Sequence, residues 1–146
     1  MITSGKLPKP LVGDFHVRVL PAAFSDAAKL IPRRSDRAEL RRQTLGLRYF
    51  PEKRRENEQG KIESLDWSWI MAMKGHRVGE LRISGTLNGH TNLRVIFWVP
   101  DANDNLPEIW VLAVFDKKRD DFTKGQIATF HSRRDTADAF RKPKRE

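Results

Sequence analysis

The sequence predicts an α+β protein in which an N-terminal strand and helices are followed by an antiparallel meander of strands and a C-terminal helix. One observation is that the helical patterns of residues 21–50 precede most of the strand-like sequence. Another is that the runs 92–99 and 108–115 are apolar on both faces, as in central strands covered on two sides. Runs of helix followed by runs of strand are typical of α+β folds rather than parallel α/β sheets.

The chain is predicted to hold one domain between two short terminal segments. Residues 1–14 are rich in glycine and proline signals and are expected to form a loose arm. Residues 15–20 then alternate apolar and polar side chains, which is the pattern of a first strand. The domain is expected to cover 15–140 and to end in a basic tail, 141–146.

Two helices are predicted after the first strand. Pro21 is a favourable first helical residue, and Pro32 ends the helix that it begins. Ser35 is expected to cap a second helix that continues through residues 38–50 and exposes a mainly positive side. The arginines on that side are either a solvated surface or contacts to RNA phosphates.

The next segments are less regular. Residues 51–61 are nearly all polar and predict a solvated loop. In residues 64–74 the apolar side chains recur every four positions, which favours a helix, and they also alternate around Trp67 and Trp69, which favours a strand. Ser64 as a cap and Asp66 in the first turn favour the helix.

The C-terminal half carries the clearest patterns. Residues 79–87 alternate as a strand, and Asn88-Gly89 is a turn dipeptide that leads into the central strand 92–99. The polar segment 101–107 connects it to the strand 108–115, where Trp110, like Trp98, is expected to lie in the core. Thr123 and Gln126 form a capping box that begins a helix, whose buried face is predicted to contain Ile127, Phe130, Ala137 and Phe140.

Composition indicates a cytoplasmic protein with an anionic partner. The chain has 28 Lys and Arg against 19 Asp and Glu, a net charge of +9, which attracts polyanions such as nucleic acid. Cysteine is absent, which excludes disulfides and thiolate chemistry. The sequence shows neither a secretory h-region nor an apolar run long enough for a bilayer, so no membrane partner is expected.

The usual signatures of cofactor and metal enzymes are missing from the sequence. We find no glycine-rich phosphate loop, no His-Glu-x-x-His and no nucleophile elbow, and the four histidines are scattered. No cofactor and no metal are therefore expected.

Basic residues on the meander form the candidate site. Antiparallel pairing can bring Arg82 and Arg94 together on one face of the sheet, with Lys117, Lys118 or Arg119 at its rim. An arginine in a central strand needs either a carboxylate or an anionic ligand. Glu80, Glu108 and Asp116 are the acidic residues that could instead neutralise these cations.

These same segments resemble the RelE/ParE superfamily of bacterial type II toxins, and most of all its HigB-like, phage-derived branch. The resemblance lies in GELRIS at 79–84, LRVIFWV at 93–99 and VLAVFDKKRDDFTKGQIATFHSRR at 111–134. It implies a RelE-like fold and a toxin that cleaves mRNA on the ribosome and is neutralised by a cognate antitoxin. In that reaction the RNA 2′-hydroxyl attacks the adjacent phosphate, so the enzyme is a metal-independent endoribonuclease.

Mapped onto this chain, the resemblance gives each basic residue a role. Arg82 and Arg94 would hold the scissile phosphate, and Lys117, Lys118 or Arg119 would stabilise the transition state or the leaving oxygen.

The chain also departs from the family pattern. Many members carry a Tyr or His near the C-terminus for proton transfer, whereas this chain has its single tyrosine at Tyr49. Phe122 can stack but cannot transfer a proton, which leaves His131, and equally His90, as candidate acids or bases. Leu93 stands where a tyrosine is common. The alternative is therefore a toxin that does not cleave RNA, or a ParE-like toxin that binds a protein such as gyrase.

Overall fold

The computed structural model describes residues 15–56, 59–101 and 107–141. The predicted arm, most of the predicted connection at 101–107 and residues 142–146 of the predicted tail lie outside these described residues, whereas Arg141 is the last residue of the C-terminal helix. The elements are β1 (His16–Val19), α1 (Pro21–Leu30), α2 (Arg34–Thr44), β2 (Arg54–Glu56), β3 (Ile62–Ser64), β4 (Trp67–Trp69), β5 (Val78–Arg82), β6 (Leu93–Trp98), β7 (Glu108–Asp116) and α3 (Lys124–Arg141). Two 3-10 turns, Leu45–Tyr49 and Met71–Met73, follow α2 and β4.

The fold is α+β, as predicted, with a five-stranded sheet in the order β1-β7-β6-β5-β4. The antiparallel pairs β5–β6 and β6–β7 confirm the predicted meander. β1 pairs with β7 in parallel, although the two strands are far apart in the sequence. The sheet is therefore mixed rather than purely antiparallel.

Helices cover both faces of the sheet. Apolar side chains of α1 and α2, such as Ala23 and Leu40, pack with Val95 and Phe97 on one face. On the other face, Phe130 and Ala137 of α3 belong to the cluster around Ile96, Trp98 and Trp110. The central strands are thus apolar on both sides, and Trp98 and Trp110 lie in the core as expected.

The prediction that Ser35 caps α2 is wrong. Pro21 begins α1 as expected, but α2 begins at Arg34, so Ser35 lies inside the helix and caps nothing. A tertiary contact takes its place, since the Arg33 N–H donates to Asn88 Oδ1 at 3.1 Å and the Asn88 N–H donates to Asp36 Oδ2 at 2.8 Å. The α-helix also ends at Thr44, and of the remaining predicted helical residues Leu45–Tyr49 form the 3-10 turn and Phe50 follows it.

The segments between α2 and the meander differ most from the predictions. The predicted loop 51–61 contains β2, which pairs with β3 in a hairpin. The helix predicted for 64–74 is wrong: its centre is strand β4, which pairs with β5 and is followed by a 3-10 turn. Strand geometry packs the Trp67 ring against the rings of Phe50 and Phe97, at centroid distances of 4.7 and 6.1 Å, and this packing overrides the helical signals.

Local signals in the C-terminal half are confirmed. Asn88 and Gly89 both have positive φ, 54° and 83°, as the predicted hairpin turn requires, although β5 ends at Arg82, short of residue 87. The Thr123 N–H donates to Gln126 Oε1 at 2.9 Å, and the Gln126 N–H donates to Thr123 Oγ1 at 3.1 Å, so the capping box forms. Of the predicted helix face, only Phe140 is largely exposed, at 60%.

An ion pair between Asp26 and Arg133 closes the edge of the sheet beyond β1. There the Val114 N–H of β7 donates to Asp26 Oδ2 at 3.1 Å, and Arg133 Nη1 donates both to Asp26 Oδ2 at 2.6 Å and to the Leu112 carbonyl at 3.0 Å. Two backbone groups that β1 leaves unpaired are thereby satisfied. The pair also ties α1 to α3 across the edge.

We therefore expect Asp26→Ala to lower the free energy of unfolding by about 1–3 kcal/mol, because it leaves the Val114 N–H without an acceptor and Arg133 without its carboxylate partner. Urea denaturation measures this change. Asp121→Ala, which removes an exposed carboxylate, is the control and should change stability by less than about 0.5 kcal/mol. Equal losses in the two variants would contradict the proposed role of the pair.

Candidate anion-binding site

Arg82 and Arg94 are brought together as the sequence predicts. They are directly opposite residues in the β5–β6 register, at the end where β5 finishes and β6 begins. Arg94 also lies opposite Phe115, whose ring packs on Phe122 and Phe130 at the start of α3. Both arginines therefore belong to the face of the sheet that α3 covers.

Glu80 lies at the centre of this region. Its Oε1 atom is 3.2 Å from Arg94 Nε and 3.5 Å from Lys117 Nζ, so one carboxylate pairs with cations from two other strand ends. The three side chains are only 11–12% exposed. The Lys117 ammonium also lies 4.4 Å from the centroid of the Phe122 ring. Arg94 and Lys117 are thus held in place by the carboxylate and the ring.

Arg82 is different because its side chain is exposed. Within the described residues, its guanidinium forms no ion pair and no side-chain hydrogen bond. We call Arg82, Arg94, Lys117 and Glu80 the basic corner. Its three cations and one carboxylate leave two positive charges, and Arg82 is the cation most open to a ligand.

Lys118 and Arg119 follow Lys117 on the chain. Both side chains are exposed, and neither forms a hydrogen bond or an ion pair with another described residue. They can contribute positive potential to its rim.

A polar cleft of about 620 Å³ opens beside the basic corner. Arg82 and Arg94 line it at the ends of β5 and β6, and α2, its 3-10 turn and the β2–β3 hairpin, from the other side of the sheet, form the remaining walls. Side chains from those elements that line it include Arg42, Tyr49, Arg55 and Glu63. The size of the cleft is in the range of small-molecule and nucleotide sites.

The arginines on the far walls of the polar cleft are already engaged. Arg42 donates to both oxygens of Glu39, at 3.0 and 2.7 Å. These hydrogen bonds hold the pKa of the Glu39 carboxyl below its usual range and raise that of Arg42. The Arg55 guanidinium stacks on the Tyr49 ring at 3.6 Å from its centroid. Arg82 is therefore the cation of the polar cleft that is most available to bind an anion.

The two candidate histidines lie elsewhere. The His131 ring is 4.7 Å from the His76 ring, just before β5 begins, and four strand residues or about 13 Å separate that end from Arg82. His90 Nδ1 lies 2.6 Å from Asp116 Oδ2. Asp116 is opposite Leu93, on the face covered by α1 and α2, so this pair does not join the basic corner either.

Glu80 is the residue whose importance the sequence reasoning missed, since it was considered only as a neutralising partner for one arginine. A signal was available. Glu80 and Arg82 are two apart on one strand, so both point to the same face, and Arg94 is the residue opposite Arg82. That spacing alone predicts a carboxylate within reach of both arginines.

Comparisons with known proteins identify no relative. No protein-family model, curated protein or solved structure matches the chain. In the described part of the chain, no helix has the length and apolar character needed to cross a bilayer, and no three His, Asp or Glu side chains are grouped to hold a metal ion. The function must therefore be argued from the geometry of the basic corner.

The two arginines should differ in their contribution to stability. We expect Arg82→Ala to change the free energy of unfolding by less than about 0.5 kcal/mol, because its side chain is exposed and unpaired among the described residues. Arg94→Ala should cost about 1–3 kcal/mol, because it removes a buried partner of Glu80. Urea denaturation of both variants measures the difference, and equal effects would contradict this description of the corner.

Proposed function

We propose that this protein is the toxin of a type II toxin–antitoxin system, with a RelE-like fold of the HigB type, and that it cleaves mRNA on the ribosome without a metal ion. The observation that carries the proposal is the basic corner, where Arg94 and Lys117 share the Glu80 carboxylate and the exposed Arg82 lies directly opposite Arg94. The order of strands and helices is compatible with the resemblance carried by residues 79–140.

The basic corner offers the contacts that an RNA backbone needs. A guanidinium matches two phosphate oxygens at once, and Arg82 has an exposed guanidinium at the mouth of the polar cleft. Arg94 and Lys117 add positive potential beneath it, and Lys118 and Arg119 add more at its rim. The polar cleft can take the nucleotides that flank the bound phosphate.

The proposed reaction needs only groups of the RNA and the basic corner. The RNA 2′-hydroxyl oxygen forms a bond to phosphorus and gives its proton to the Glu80 carboxylate. The bond from phosphorus to the 5′ oxygen breaks, and that oxygen takes a proton from the Lys117 ammonium. Arg82 and Arg94 stabilise the charge that develops on the phosphorane oxygens. The products are a 2′,3′-cyclic phosphate and a 5′-hydroxyl.

The contact between Glu80 Oε1 and Lys117 favours Glu80 as the base and Lys117 as the acid. Glu80 Oε1 is 3.5 Å from Lys117 Nζ, so the proton that the carboxylate accepts can return to the lysine after each turnover. The base and the acid are thus adjacent, and no histidine is required.

The proposal includes the partners implied by the resemblance. They are the ribosome with its bound mRNA as the target, and a cognate antitoxin protein that blocks the toxin in the cytoplasm. The net charge of +9 favours binding to ribosomal RNA by long-range attraction.

A second function is favoured by the same carboxylate. Glu80 already neutralises part of the charge of Arg94 and Lys117, and Phe122, which packs beside Lys117, cannot transfer a proton. These features suit a toxin that binds a protein such as gyrase and cleaves no RNA.

The test is a single-turnover cleavage assay on ribosomes programmed with a defined mRNA, with the ends of the fragments identified chemically. We expect cleavage that leaves 5′-hydroxyl and 2′,3′-cyclic phosphate ends. Arg82→Ala should lower the rate about 10²–10³-fold, because it removes a contact to the transition state and leaves the fold intact.

Lys74→Ala is the matched control, since Lys74 is an exposed cation located before β5, away from the basic corner. Its rate should equal that of the unaltered protein. Intact mRNA in the presence of ribosomes would reject the nuclease, and DNA damage in cells expressing the protein would then favour the gyrase alternative. Equal rate losses in the two variants would reject the assigned site.

A further inference from the structure

An apolar groove between α1 and α2 takes no part in the proposed reaction. It has a volume of about 860 Å³ and is lined by small or aliphatic side chains of both helices and by valines of β1 and β7. These valines include Val17, Val19 and Val111, and they face α1 and α2, whereas the basic corner lies on the face that α3 covers. The groove is therefore a separate surface.

Large apolar side chains are exposed to solvent at the rim of this α1–α2 groove. Phe24 of α1 is 64% exposed and Leu45, just after α2, is 37% exposed. Both line the groove. Exposed apolar surface around a concavity, rimmed by polar groups, is characteristic of a protein-binding site.

A row of arginines lines the same groove along α2. Arg34, Arg37 and Arg41 are spaced by three and four residues, so they lie on one side of the helix. Within the described residues none of the three forms an ion pair or a side-chain hydrogen bond.

The other arginines of this region behave differently. Arg33 pairs with Asp36 at 3.5 Å and Arg42 pairs with Glu39 at 2.7 Å. Asp36 and Glu39, the acidic residues of α2, therefore form their ion pairs with arginines outside the row that lines the groove. The groove retains three positive charges without an acidic partner among the described residues.

We propose that the α1–α2 groove binds an amphipathic helix of a partner protein, with an apolar face against the groove and acidic residues facing Arg34, Arg37 and Arg41. The apolar floor of the groove would bury side chains of the partner helix that recur every three or four residues, as in other helix-in-groove complexes. The arginines select acidic flanks and speed association. Since α1 has ten residues and is about 15 Å long, the groove fits about three turns.

Other occupants match the groove less well. RNA would place phosphates against a floor formed mainly by alanine and valine side chains, which cannot donate hydrogen bonds. A second copy of this chain carries a net charge of +9 and would be repelled by the arginines. The sequence of residues 1–14 has two lysines and one aspartate, which is also the wrong sign of charge. The inference does not depend on the nuclease activity.

The experiment is a display selection of a random helical peptide library against the full-length protein. We expect the enriched peptides to carry apolar residues at positions i, i+3 or i+4, and i+7, flanked by Asp and Glu. A selection that yields no helical binder, or yields basic or neutral flanks, overturns the proposal.

Three variants then locate the binding of one enriched peptide. Arg37→Glu/Arg41→Glu reverses two charges of the row, and Ala28→Glu places a carboxylate on the exposed wall of α1 without disturbing the core. Each should weaken binding by about tenfold or more, which corresponds to about 1.4 kcal/mol. Arg54→Glu/Lys74→Glu makes the same change of net charge elsewhere and should leave the affinity within about twofold.

Circular dichroism confirms that each variant is folded. Equal losses in the groove and control variants would show nonspecific attraction and overturn the proposal. Displacement of the peptide by a single-stranded RNA, with loss of RNA binding in the groove variants, would assign the groove to RNA instead.

Discussion

The ion pairs of Glu80 with Arg94 and Lys117 are the interaction on which the candidate site depends. Two cations, one in β6 and one directly after β7, are each nearly nine-tenths buried and would repel each other and lose their hydration without a counter-charge. The shared carboxylate makes this arrangement possible and fixes the positions of both cations. Arg82, directly opposite Arg94, then stays exposed with its charge available. The same pairs that stabilise the corner thus also prepare it to bind an anion.

The register of the meander decides whether this arrangement exists. A shift of one residue between β5 and β6 would move Arg94 to the face packed against α1 and α2. The turn at Asn88 contributes to the register, and the start of α2 holds that turn through hydrogen bonds of Asn88 with Arg33, which precedes the helix, and with Asp36. The helical layer therefore stabilises the site from the opposite side of the sheet. The start of α2 therefore hydrogen-bonds to Asn88 instead of being capped by the Ser35 side chain, as the sequence had predicted.

Sequence reasoning succeeded where short-range chemistry decides the structure. The Asn88-Gly89 turn, the Thr123–Gln126 capping box and the two-sided apolar strands need only neighbouring residues or a local period. It failed where a distant group decides. The region around Trp67 becomes a strand because the Trp67 ring packs against Phe50 and Phe97, which local periodicity cannot show.

The same distinction holds for the candidate site. The pairing of Arg82 with Arg94 follows from the strand pattern, whereas the place of Lys117 beside Glu80 depends on how β7 continues past the sheet. The histidine candidates were chosen by residue type and by their position in the sequence, which do not determine what each side chain contacts. The fold instead pairs His131 with His76 and His90 with Asp116, both outside the basic corner.

The most direct measurement of the central claim is an NMR titration of the arginine side chains with a short 2′-O-methyl RNA, which carries the phosphates but cannot supply the nucleophile. If a phosphate binds at the basic corner, the Nε–Hε resonances of Arg82 and Arg94 shift in a saturable way, and added salt weakens the effect. Shifts confined to Arg34, Arg37 and Arg41, with Arg82 and Arg94 unchanged, would contradict the claim.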